Sequence, residues 1–297
     1  MNQALHAERI SMPGALAADR PTGRLALNLA QSAEWSSLLA ALHAEWTKLR
    51  TVASTGWLLL ACIALTVGGS ATAADVVKCP ASCSADVVRI SLTGVELGQA
   101  IVAVLAVLMI STEYSTGMIR ITVTAIPRRL TMLVAKAAVL TGMVLAAGFI
   151  AVLGSLVASR LILPGNGFAF TAGHGFGWWL GLDGGSNLRA ALGSVLYLAL
   201  IAVLSLGVAT AVRDSGVAIT VVLGLLYVVP IISNLILDPH WERRFQRYAP
   251  TNAGLAVQVT KGLDKLSIGP WEGLAVLAVW AAAALVTGGL LLRFRDA

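Results

Sequence analysis

Charge is what this sequence has least of. Asp, Glu, Lys and Arg make up 12% of its 297 residues, whereas 57% are hydrophobic. A soluble domain averages about 25% charged residues. A chain this apolar cannot hide its surface in one core, so lipid must serve as part of its solvent. Histidine is scarce too: His6, His43, His174 and His240 all fall outside the long apolar runs. Those runs hold no paired carboxylates, no H-E-x-x-H motif and none of the histidine that an intramembrane Ser/His protease requires. No G-x-x-x-x-G-K-[ST] loop is present, so the chain carries no ATP-hydrolysing chemistry of its own. An enzyme, a bound cofactor and a metal site are therefore not expected, and no charged ring or filter-like run points to an ion channel. The net charge of +6 is spread between apolar blocks, which argues against nucleic acid as a partner.

Cysteine occurs three times. Cys62 sits inside an apolar run and reads as a small packing residue. Cys79 and Cys83 share one short polar segment. A disulfide between them would close a small ring and needs an oxidising space, while metal binding is disfavoured because no His or carboxylate lies at suitable spacing.

Crossing the ~30 Å hydrocarbon layer takes about 20 apolar residues in a helix. Residues 54–74, 92–111, 130–157, 190–212, 216–237 and 273–292 meet that test. They must be helices, because lipid offers no partner for backbone N–H and C=O groups. Six spans place both termini on one side. Lys48, Arg50, Arg120, Arg128, Arg129, Lys136, Arg213, Arg293 and Arg295 lie near the membrane on that side, which the positive-inside rule makes cytoplasmic. Arg243, Arg244, Arg247, Lys261 and Lys265 in the last outer loop blur the bias.

The segments between spans divide the rest of the chain. Residues 1–31 read as a flexible cytoplasmic tail with no cleavable signal peptide. In residues 32–53, Trp35, Leu38, Leu39, Leu42, Trp46 and Leu49 recur at steps of three and four. Glu34, Ser37, Glu45 and Lys48 fall opposite them, the pattern of a helix lying in the membrane interface. The alternative, a soluble helix packed on another domain, lacks a second domain to pack on. Residues 54–297 form the transmembrane domain. Within it, residues 112–129 are too polar to span, and Pro127 breaks them before Arg128 and Arg129 anchor the third span. A short helix over residues 114–122, exposed to a cytoplasmic partner, is expected. Outer loops fall at 75–91, 163–189 and 238–272. The second is rich in Gly and aromatics and reads as an interfacial loop with a partial re-entrant helix, against carbohydrate or ligand binding. The third is expected to hold a short amphipathic helix around residues 253–263.

Ionisable groups inside spans are the default functional candidates. Glu96 sits early in the second span, either solvated near the outer interface or facing an internal cavity. Gly94 and Gly98 flank it at a spacing that lets another helix approach closely. Lys136 is expected to snorkel to the cytoplasmic surface. In the fifth span, Pro230 should kink or split the helix, among Tyr227, Ser233 and Asn234. Those polar groups fit a substrate path or helix–helix hydrogen bonds equally well.

Four runs together resemble a known family. They are Glu45-Trp46-Thr47-Lys48-Leu49-Arg50-Thr51 before the first span, Glu113-Tyr114-Ser115-Thr116-Gly117-Met118-Ile119-Arg120 followed by Ile126-Pro127-Arg128-Arg129, then Ala249-Pro250-Thr251-Asn252-Ala253-Gly254, and the closing Leu292-Arg293-Phe294-Arg295-Asp296-Ala297. In this order around six spans they resemble bacterial ABC transporter permeases of the type-2 exporter class, over residues 33–297. One departure is Met118, where the family often has Thr. The resemblance implies an all-α permease fold of six transmembrane helices in the bacterial plasma membrane, with both termini cytoplasmic. It implies a dimer, as a homodimer with a second permease copy, driven by two separate ATPase subunits that hold ATP and Mg. Glu113, Tyr114, Gly117, Arg120, Arg128 and Arg129 would couple to the ATPases. Glu96, Gln99, Tyr227, Ser233 and Asn234 would line a translocation path for an amphiphilic drug, lipid or peptide. A non-transporting anchor or sensor that recruits a cytoplasmic partner through residues 112–129 is the alternative.

Overall fold

The structure is a computed structural model that describes residues 42–44, 46–47, 53–79, 85–115, 129–168, 182, 184–235 and 238–295. Every regular element among them is helical. Six helices are long and apolar enough to cross a membrane. The first is α1 (Ala53–Val76). A short α2 (Val87–Ser91) then leads through a turn into α3 (Val95–Ser115), and the two together form the second span. The third and fourth are α4 (Arg129–Ile162) and α5 (Gly185–Val212). The fifth is broken into α6 (Ser215–Leu223), one π-helical turn over Gly224–Val228, and α7 (Val229–Leu235). After α8 (Pro239–Tyr248) and α9 (Pro250–Leu255), the sixth span is α10 (Pro270–Arg295). Lipid-level backbone must close its hydrogen bonds internally, and continuous helices do this. At 34 residues α4 is about 51 Å long, well beyond the hydrocarbon thickness, so it projects past the bilayer.

α5 is the hub of the bundle. It packs on α3, α4, α6 and α10, while α1 packs on α3 and α4. The α1–α3 contact is the tightest readable from sequence. A side chain on Gly94 would collide with the Thr66 carbonyl, and one on Gly98 with the Thr66 hydroxyl. The Gly94 N–H donates instead to Ser70 Oγ at 3.1 Å. The close approach expected from the Gly94–Gly98 spacing is thus made by the first span. Cys62, buried and free, faces the same seam, in keeping with a packing role.

Connections at the two ends are hydrogen-bonded. Asn166, just past α4, donates to the carbonyls of Ala74 at 2.8 Å and Asp75 at 3.1 Å. Those are carbonyls that the end of α1 cannot satisfy itself. At the opposite end, Arg213 turns the chain with φ 65°, and Asp214 caps α6 by accepting from the Val217 N–H at 2.8 Å.

Three expectations are corrected. Lys136 does not snorkel: it is 1% exposed, enclosed by the bundle. The helix expected over 253–263 lies earlier, as α8 and α9, and the chain past a 3₁₀ turn over Ala256–Gln258 is extended at Val259. Pro250 at the first position of α9 fixes that start, since its missing N–H is one the helix does not need. The second span begins with the separate α2 rather than as one helix from residue 92. Of the 32–53 stretch, residues 42–44, 46–47 and Ala53, the first of α1, are described and helical. The rest of it, residues 1–31, Cys83, most of the 163–189 loop, and Gly117, Arg120 and Arg128 lie outside the described residues.

Gly94→Val should overpack the α1–α3 seam at a cost of about 1–3 kcal/mol and lower the melting temperature of the purified chain. Gly142→Val, at an open helical position, should leave it nearly unchanged. Thermal unfolding in detergent checks both.

Candidate functional site: a re-entrant hairpin and the cavity beside it

Span five ends at Leu235, and the chain from Pro239 onward folds back against the sixth span. Trp280 lies ten residues inside α10, about 15 Å below its start at Pro270. Its indole N–H donates to the Tyr248 carbonyl at 3.1 Å. Tyr248, the last residue of α8, is therefore held against the sixth span, two residues after Gln246, which accepts from the Ser267 hydroxyl at 3.0 Å. α9 then climbs back between α5 and α10. A side chain on Gly273 would strike the Ala253 carbonyl, and one on Gly254 would stand 2.6 Å from the Tyr197 ring. The climb is logged along α5: Gln258 donates to Ser194 Oγ at 3.1 Å, and Arg189 donates to the Val259 carbonyl at 2.6 Å. Residues 239–259 thus form a re-entrant hairpin. The re-entrant helix expected in 163–189 falls largely on residues outside the described part; this hairpin lies in the following loop.

The break in span five explains why the hairpin is needed. Pro230 has no N–H, so the Leu226 carbonyl loses its helical partner. The backbone shifts into a π turn, with the Val229 N–H on the Gly224 carbonyl. Thr251 at the foot of the hairpin donates to the Leu226 carbonyl at 3.1 Å. Ser233 donates to the Pro230 carbonyl at 2.7 Å and accepts from Asn252 at 3.1 Å. Two side chains of the A-P-T-N run thereby tie the hairpin to the break.

Between these parts lies a cavity of about 500 Å³. α2 and α3 contribute Arg89, Glu96 and Gln99, the broken span contributes Tyr227 and Pro230, and the hairpin contributes Gln246, Asn252 and Gln258. Its walls are cross-braced by phenols. Tyr227 donates to the Glu96 carbonyl, and the fully buried Tyr197 donates to Gln99 Oε1. Such a chamber offers one carboxylate, one guanidinium and several neutral donors and acceptors. It can solvate a polar group at a depth where lipid cannot.

The structure brings Glu96, Gln99 and Tyr227 together on this cavity. Ser233 is buried beside it as a brace, and the Asn234 side chain lies outside the described part. Sequence reasoning missed Arg89, Gln246, Thr251, Asn252 and Gln258. The Pro230 and Pro250 positions signalled irregular backbone, but nothing in the sequence said that the two irregularities meet. In the coupling set, the backbones of Glu113 and Tyr114 extend α3 and that of Arg129 opens α4, with their side chains outside the described part. Of the described cysteines, Cys62 is free and Cys79 is disulfide-bonded.

One carboxylate locks the hairpin's return. Asp86 caps α2 through the Arg89 N–H at 3.1 Å. It also accepts from the Thr260 hydroxyl and N–H, both at 2.6 Å, and from the Lys261 N–H at 3.0 Å. Burial pushes its carboxyl up, but the Thr260, Arg89 and Lys261 hydrogen bonds outweigh this and hold it below the usual carboxylate value. Stability from a depressed carboxylate is complete above the ordinary Asp pKa of about 3.9 and fades as pH falls through the lower folded value.

Two outcomes follow. Thr251→Val should orphan the Leu226 carbonyl and destabilise the chain by about 1–3 kcal/mol, whereas Thr251→Ser should be nearly neutral. Asp86→Asn should melt below the wild type at pH 7, with the gap closing as the pH is taken below about 4. Melting curves of the purified proteins across pH test both.

No protein-family model matches the chain, and no characterised protein matches it. By its six long apolar helices and its composition, the chain is a multi-span helical membrane protein.

Proposed function

We propose that this chain is the permease subunit of an ATP-driven exporter of the type-2 ABC class, working as a homodimer on two separate ATPase subunits. The observation that carries this reading is the polar cavity between the second span and the broken fifth span, walled on its third side by the re-entrant hairpin. A chain that served only as an anchor has no use for hydrogen-bonding groups lining space at membrane depth. The cavity is the path for an amphiphilic substrate, with Glu96, Gln99 and Tyr227 meeting its polar part.

The helices supply the lever. α3 continues without a break to Ser115, inside the 112–129 segment, and α4 starts at Arg129 at the segment's end. From Glu113 to Glu96 is about 25 Å along one rigid helix. A push on residues 112–129 is thereby delivered to the cavity wall. The π turn and Pro230 give span five a place to flex while its ends stay packed. ATP and Mg remain on the ATPase subunits, whose closure supplies the push through contacts to Glu113, Tyr114, Gly117, Arg120, Arg128 and Arg129. In this reading the 112–129 end and both termini face the cytoplasm of a bacterium, and the hairpin end faces outward.

The test is to tag the chain, extract it gently from its native membrane and identify what accompanies it. A stoichiometric ATPase is expected, with co-purification reduced at least tenfold in the Glu113→Ala, Arg120→Ala double variant. Recovery of the chain alone or with a protein that is not an ATPase overturns the exporter reading in favour of an anchor or sensor.

A further inference from the structure

A second cavity, about 950 Å³, opens on the other side of the hairpin. One wall is apolar: Leu225 and Val229 of the fifth span and Trp280 of the sixth. The other wall is α8, which brings Arg243, Arg244 and Arg247 within one arc of the helix, all three exposed. Arg244 sits over the Trp241 ring at 5.5 Å, which holds that guanidinium against the groove.

These arginines occupy an awkward place. α8 runs from just past the end of span five to Tyr248 against the sixth span, and a guanidinium stays charged at every accessible pH. Leaving one in hydrocarbon is costly, so it must find an anion or the polar headgroup layer. Helix geometry shows how they are relieved. Side chains lean toward a helix's N-terminus, and the N-terminus of α8 is its membrane-surface end. All three therefore reach back along the helix toward the headgroup layer, at the mouth of a groove whose floor is apolar.

We infer that this groove binds an anionic phospholipid of the surrounding bilayer, its phosphate held by Arg243, Arg244 and Arg247 and an acyl chain lying against Leu225, Val229 and Trp280. Charge complementarity selects the headgroup: three cations in one arc favour an anionic lipid over a zwitterionic one, whose own ammonium the arginines repel. The apolar floor selects a lipid over a free anion, and the volume suits part of one lipid molecule. The lipid wedges α8 against spans five and six, so its loss loosens the hairpin. None of this depends on the exporter reading.

The test uses the full-length chain in detergent micelles doped with phosphatidylglycerol or phosphatidylcholine, with bound lipid counted by native mass spectrometry. The wild type should retain phosphatidylglycerol at least tenfold better than phosphatidylcholine, and 10 mM inorganic phosphate should not displace it. The triple variant Arg243→Gln, Arg244→Gln, Arg247→Gln should lose the preference. Val229→Trp, which fills the groove and keeps all three arginines, should lose retention as well, and it tests the site if the triple variant fails to fold. Equal retention of the two lipids by the wild type, undiminished retention in Val229→Trp, or displacement by free phosphate would each overturn the assignment.

Discussion

One unsatisfied carbonyl organises much of this molecule. Pro230 leaves the Leu226 C=O without its helical donor in the middle of an apolar span, where lipid offers no replacement. Thr251 supplies the missing hydrogen bond from a different segment of chain. To do so, residues 239–259 must dip into the membrane, and the fold is arranged around that demand. Gly254 and Gly273 let the returning arm lie against α5 and α10, Trp280 holds its lowest point, and Asp86 locks its upper end. An alternative helix without the proline would need no hairpin, and without the hairpin the cavity would lack one of its walls.

The broken span and its brace leave space on two sides, and the two spaces differ in chemistry. Toward α3 the lining mixes aliphatic side chains with hydrogen-bonding ones, and its charges are Glu96 and Arg89. Toward lipid it is aromatic and cationic. The hairpin separates them, so one short element sets the properties of both.

The spans themselves were legible in the sequence to within a few residues, because hydropathy and length decide them whatever surrounds them. The α1–α3 contact was legible in part: Gly94 and Gly98 announce a close neighbour but do not name it. The hairpin was not legible. PHWERRFQRY carries three arginines and a glutamate, so composition alone places it in an aqueous loop, and only the contacts of Tyr248 and Thr251 with helices of known depth put it inside the membrane. Lys136 misled for the same reason. Snorkelling is the rule for a lysine facing lipid, and sequence does not say which face of α4 the bundle covers. The cavity residues divide likewise. Glu96 and Tyr227 stood out as polar groups within apolar helices, while Gln246 and Gln258 looked like ordinary loop residues until the fold carried them inward.

The central claim is that the hairpin is re-entrant and the space beside α3 is wet. It is tested most directly by cysteine accessibility at membrane depth. In a chain whose native cysteines are replaced by serine, Asn252→Cys places a thiol on the cavity near the foot of the hairpin, and Val221→Cys places one on the exposed apolar face of α6. The account predicts that a membrane-impermeant maleimide modifies the first in intact membranes and leaves the second untouched. If position 252 is as unreactive as position 221, the cavity is dry and the account is wrong.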